Sequence, residues 1–197
     1  MSLPVSPSFV ILALSLALSG CFGVPVSSLP RLMRLDFLAM DFGQVRAGLR
    51  LPANLAVRPG DAVMTIKTRT DGGAETADRF VLVEAMEPAE RASMAAEAKP
   101  GFTLGVFRIA PSDVPRLAEL QARIRASQQQ GPRLRGSIDI RVSGGCLRGA
   151  VADGPLPVSS YLKPARDEGF ITLSQDVDLR QMIPSSDWAE RMPRCPG

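Results

Sequence analysis

Apolar and polar positions alternate with period two along several short stretches of the chain. Val45, Ala47, Leu49 and Leu51 interleave with Gln44, Arg46, Gly48 and Arg50, which predicts a half-buried strand over 44–51. Ile138, Ile140 and Val142 give the same pattern over 137–143. Further strands are predicted at 34–39, 102–109, 156–162 and 170–173. Segments 62–68 and 79–85 flank a polar connection in which Asp71-Gly72 supplies the positive-φ positions of a hairpin reversal.

One stretch changes period. Val114, Leu117, Leu120 and Ile124 form a single helical stripe. Ser112 or Asp113 can cap it, Pro115 suits its first turn, and Gly131-Pro132 ends it. Glu119 and Arg123 add an i,i+4 pair in the favourable order. Shorter helical turns are predicted within 88–98, which is Ala-rich, at 178–183 behind Asp178, and at 187–192 around Trp188. About seven or eight short strands with one solid helix predict a mainly β domain, a β-sandwich-like body with an inserted amphipathic α-helix. An α+β layout with that helix packed on one sheet is the alternative.

The N-terminus follows a different rule. Residues 9–18 are an apolar run, too short for the ~20 residues of a membrane-spanning helix. Leu18-Ser19-Gly20-Cys21 closes the run and resembles a bacterial lipobox. The resemblance implies that Cys21 is acylated and becomes the mature N-terminus. It also implies an outer-membrane, periplasm-facing address, because Phe22 stands where retained inner-membrane lipoproteins often carry Asp. The chain then divides into a signal peptide (1–21), a tether (22–32) and one β-rich domain (33–197). Two alternatives stay open: a retained helix over 8–26, which Gly20, Gly23 and Pro25 disfavour, and ordinary cleaved secretion.

Charge excludes little beyond nucleic acid: 23 basic against 20 acidic residues give a net +3, too mild for a polyanion partner. The lack of histidine says more. It removes Ser–His and Cys–His nucleophile pairs and imidazole metal ligands, so a non-enzymatic protein with no cofactor and no metal is expected. With Cys21 assigned to lipid, Cys146 and Cys195 remain, a disulfide in an oxidising compartment. A redox pair or two free thiols are the alternatives, and neither cysteine lies in a C-x-x-C motif.

Other constellations have plain readings. Ser160 and Lys163 match S-x-x-K, but a strand would put them on opposite faces. Asp71, Glu75 and Asp78 sit around glycines without the spacing of a calcium loop. Of Asp176, Asp178 and Asp187, Asp178 is placed to cap a short helix. Arg116, Arg123 and Arg125, with Arg133 and Arg135 beyond them, cluster on and after the main helix. The first three are candidate ligand-binding residues for an anionic partner, against the reading of a solvated helix face.

Leu35-Asp-Phe-Leu38, Leu120-Gln-Ala-Arg-Ile-Arg125, Ser143-Gly-Gly-Cys146, Leu156-Pro-Val-Ser-Ser160 and Asp176-Val-Asp-Leu179 together resemble a family of small proteobacterial envelope lipoproteins. The resemblance covers nearly the whole mature chain. It implies the envelope location and the disulfide and adds no catalytic residue. The expected function is a membrane-anchored, non-enzymatic interaction or structural module of the envelope, with a protein partner there. The alternative is a binding protein for an anionic or apolar envelope ligand, held between sheet and helix.

Overall fold

The structure, a computed structural model, describes residues 24–70, 73–85, 87–130, 134–149 and 154–196. A 3-10 turn at Val26–Ser28 and a one-turn helix, α1 (Leu29–Leu32), come first. Four strands follow: β1 (Arg46–Pro52), β2 (Leu55–Ala56), β3 (Ala62–Thr70) and β4 (Glu75–Glu84). Next are α2 (Pro88–Ala92), β5 (Phe102–Ile109) and the long helix α3 (Val114–Gln130). The remainder comprises β6 (Leu134–Val142), β7 (Cys146–Leu147), β8 (Pro157–Lys163), β9 (Ile171–Asp178), α4 (Leu179–Met182) and α5 (Trp188–Arg191).

Seven strands form one antiparallel sheet in the order β6-β3-β4-β5-β1-β8-β9, and β2 pairs with β7 separately. The long partners β3 and β6, far apart in sequence, run in unbroken register from Ala62 opposite Val142 to Thr70 opposite Leu134. The join between β4 and β5 is much shorter, from Leu82 opposite Ile109 to Glu84 opposite Phe107. At that join the sheet turns over, and its two wings share one core. Met64 and Ile140 come to it from one wing, Leu49 and Leu162 from the other. The fold is therefore mainly β with an inserted helix, and the two facing layers are wings of a single curled sheet. Helix α3 closes the concave side with Leu117, Leu120 and Ile124, all buried, as its 3.6-residue stripe requires.

Three local differences from the sequence pattern have physical causes. Segment 34–39 is a series of turns instead of a strand. Asp36 Oδ1 accepts from the amides of Leu38 (2.9 Å) and Ala39 (3.2 Å), an Asx turn that competes with ladder pairing. The tether region is not extended throughout. It contains the 3-10 turn and α1, and Arg31 donates from both Nη atoms to the carbonyls of Gly169 and Phe170, each at 3.1 Å.

The third difference concerns β1. Its alternation predicts a wet face bearing Arg46 and Arg50, yet both are buried because segment 87–98 folds across that face. Arg46 Nε meets Glu90 Oε1 at 2.8 Å. Arg50 Nη2 donates to Ser159 Oγ at 3.1 Å and to Asp176 Oδ1 at 3.2 Å. Gly48 makes the close cover feasible: a Cβ there would lie 2.8 Å from Met94 Sδ and 3.0 Å from the Phe170 ring. Met94, Val106 and Tyr161 form a second, smaller apolar cluster on this outer face.

Cys146 and Cys195 are joined in a disulfide. The C-terminal tail also pairs with β7: Leu147 N donates to Pro193 O at 2.8 Å and Cys195 N to Leu147 O at 3.0 Å. Among the described residues no helix is long and apolar enough to cross a membrane.

Candidate functional site: a cavity at the sheet seam

Along the concave face, most inward positions carry large aliphatic side chains. Near the seam, where β6 and the β8–β9 edge approach without pairing, small residues take their place. Thr68, Gly136, Ser160 and Ser174 stand there, and the volume they leave unfilled is a cavity of about 670 Å³. That lies within the ~300–1,000 Å³ range of small-molecule pockets. Aliphatic side chains form much of its wall, Ile66 and Ile138 from one wing, Leu162 and Leu173 from the other, and Ile124 from α3, with the polar Gln128 and Ser137 among them.

Four of the hydroxyls in and beside the wall engage one another in pairs. Ser160 Oγ and Ser174 Oγ lie 2.7 Å apart, and Thr68 Oγ1 lies 2.8 Å from Thr76 Oγ1. Within each pair one hydroxyl donates to the other, so part of the wall's polar capacity is met internally. Two carboxylates, Asp36 and Asp139, stand in the wall, and no Lys or Arg does among its described residues. Asp36 is occupied by its turn, and Asp139 by an ion pair with Arg141.

A strap closes the cavity. Leu35, Phe37, Leu38 and Met40 lie over it, and Phe37 stacks edge-on against buried Phe42 with ring centres 5.2 Å apart. Helix α3 holds the strap by its backbone. Gln121 Nε2 donates to Phe37 O at 2.7 Å and to Met40 O at 3.0 Å, and Arg125 Nη2 donates to Leu38 O at 2.8 Å. Each such bond contributes about 0.5–1.5 kcal/mol net. Gln121→Ala is therefore expected to speed amide exchange at Leu38 and Ala39 by about tenfold, with the amides at the centre of α3 little changed. Equal exchange rates in both proteins would count against Gln121 as the fastening.

The candidate arginines do not converge. Arg116 Nη2 donates to Arg79 O at 2.6 Å, and its guanidinium lies 4.1 Å from the centre of the Phe80 ring. Arg123 is largely exposed and lies 3.9 Å from Asp78. Arg125 serves the strap on the other flank of α3. Arg133 lies outside the described residues. So do Cys21 and Asp71, with the signal peptide and lipidation site assigned to the first and the hairpin tip to the second.

The other constellations resolve into structural contacts. Ser160 is on the concave face with Leu162, while Lys163 shares the strand parity of Tyr161 on the outer face, so no Ser–Lys pair forms. Glu75 pairs with Lys67 at 3.0 Å. Asp178 caps α4 by accepting from Arg180 N at 3.1 Å, and it also accepts from Leu156 N at 2.8 Å. Asp187 pairs with Arg191 at 3.2 Å. On the outer face, Asp176 adopts a left-handed backbone, φ 49°, which short polar side chains tolerate best among non-glycines. It faces Arg50 and, at 3.9 Å, Lys99. Burial pushes the Tyr161 phenol above its ordinary range, against the lowering effect of nearby Arg50, so it stays a neutral hydroxyl at physiological pH.

Compared with family models, curated proteins and solved structures, the chain finds no match.

Proposed function

We propose that this protein is a cell-envelope lipoprotein, anchored through acylated Cys21 at the periplasmic face of the outer membrane, whose domain holds an apolar ligand in the seam cavity. The Leu18–Cys21 motif supports the anchor. The observation that carries the ligand reading is the cavity itself, lined by aliphatic side chains from both wings and from α3. A purely structural module has no use for such a volume beneath a strap. An anionic ligand is disfavoured, because it would meet Asp36 and Asp139 and, among the described residues, no cation in the wall. Arg116 is committed to the carbonyl of Arg79, and Arg125 to the strap carbonyl of Leu38.

The test uses full-length Cys21→Ala and an uncharged fluorescent acyl probe, methyl anthroyloxy-stearate. The variant is expected to leave the membrane pellet for the soluble fraction and to bind the probe saturably. Adding Leu162→Trp, or Ile138→Trp should the first disturb folding, is expected to weaken binding by about tenfold or more through occupied volume. Continued pelleting of Cys21→Ala defeats the anchor. A folded variant with no saturable uptake of the probe defeats the ligand reading.

A further inference from the structure

Val24, the first described residue, is itself part of the cavity wall, and Leu32 joins it there. Arg31 pins the intervening segment to the carbonyls of Gly169 and Phe170. The entry of the chain is therefore fixed beside the cavity. Cys21 lies three residues upstream, no more than ~11 Å of extended backbone away. An acyl chain grafted onto Cys21 is longer than that gap, and its attachment point cannot stray far from the cavity mouth.

We infer that, whenever the protein is off the bilayer, one acyl chain on Cys21 folds back into the seam cavity and is its occupant. The inference rests on the acylation of Cys21 and on the apolar-ligand reading above, and it deepens them by naming the ligand. Three considerations favour the protein's own chain over a free lipid. The wall carries aliphatic side chains from both wings and, among its described residues, no cation to select a headgroup. A tether this short gives an effective concentration on the order of millimolar, which a dilute free lipid does not match. In water the chain has no other place to hide its methylenes. At a bilayer the balance reverses, because the membrane accepts every chain of the anchor at once while the cavity accepts one. The cavity is thus filled in transit and vacated on insertion.

The test follows the acyl chain directly. Cells expressing the wild-type chain are fed a diazirine-labelled fatty acid. The acylated protein is purified, freed of detergent, irradiated and digested. Intramolecular adducts on peptides carrying Ile138, Leu162 or Leu173 are expected, falling several-fold when the same protein sits in nanodiscs of phosphatidylethanolamine and phosphatidylglycerol. In parallel, Cys21→Ala is expected to bind methyl anthroyloxy-stearate at least about tenfold more tightly than the detergent-free acylated protein, whose cavity is already filled. Adducts confined to other surfaces, with probe uptake by Cys21→Ala intact and equal to that of the acylated protein, overturn this inference alone. A purified chain with no acyl mass removes the anchor and the inference together. Acylated protein whose Cys21→Ala counterpart takes up no probe removes the ligand reading and the inference with it.

Discussion

Replacing both Cys146 and Cys195 with alanine is expected to lower the stability of the domain by about 4 kcal/mol. The bond joins positions 49 apart in sequence, and most of its effect comes from the freedom it removes from the unfolded chain. For a domain of this size the melting temperature should fall by roughly 8–16 °C. Alanine is the appropriate replacement, since Cys146 is buried and a serine hydroxyl there would need a partner. Reductant should lower the melt of the wild-type protein by a similar amount and leave the double variant unmoved. Coincident melts of wild type and variant would mean that the tail is held by its backbone pairing with Leu147 alone.

Phe80→Ala should be about as damaging, at ~3–5 kcal/mol out of the ~5–15 kcal/mol that holds a typical domain. Phe80 is fully buried on β4, the strand that carries the chain from one wing of the sheet to the other. It sits under α3, where the Arg116 guanidinium covers its ring. Truncation removes apolar burial, opens a void at the corner of the core and strips Arg116 of its platform. Arg116→Ala alone should cost only about 0.5–1 kcal/mol, because its side chain is half exposed. Urea unfolding of the two variants separates the contributions. A Phe80→Ala loss below about 1 kcal/mol would mean that the corner relaxes to fill the space.

Much of this architecture is legible in the sequence, because the signals were local. The stripe of Val114, Leu117, Leu120 and Ile124 needs only its own helix to declare a buried face. The alternation of Ile138, Ile140 and Val142 does the same for β6. Segment 34–39 misleads, because its apolar content serves a strap whose backbone bonds go to Gln121 and Arg125 on α3. Arg50 misleads for a similar reason: period two marks it as the wet side of β1, and only the later fold of segment 87–98 across it supplies Glu97 and Met94. The cavity has the faintest signal of all. It shows as Ser160 and Ser174 in inward positions that aliphatic residues usually fill, and one serine inside a predicted strand with another just past the end of the next draws no attention until the strands are side by side.

The order of strands in the sheet bears on how the protein is made. Central strand β1 pairs on one side with β5 and on the other with β8, where Ala47 meets Leu162 near the far end of the chain. Such high contact order slows folding, since the loop must close before the ladder repays it. A nascent or truncated chain ending before Pro157 leaves one side of β1 bare, an unprotected edge primed for pairing with a neighbour. The protein is thus committed to acquiring its native state after synthesis is nearly finished, and a protective chaperone in the interval would act chiefly on that one exposed ribbon.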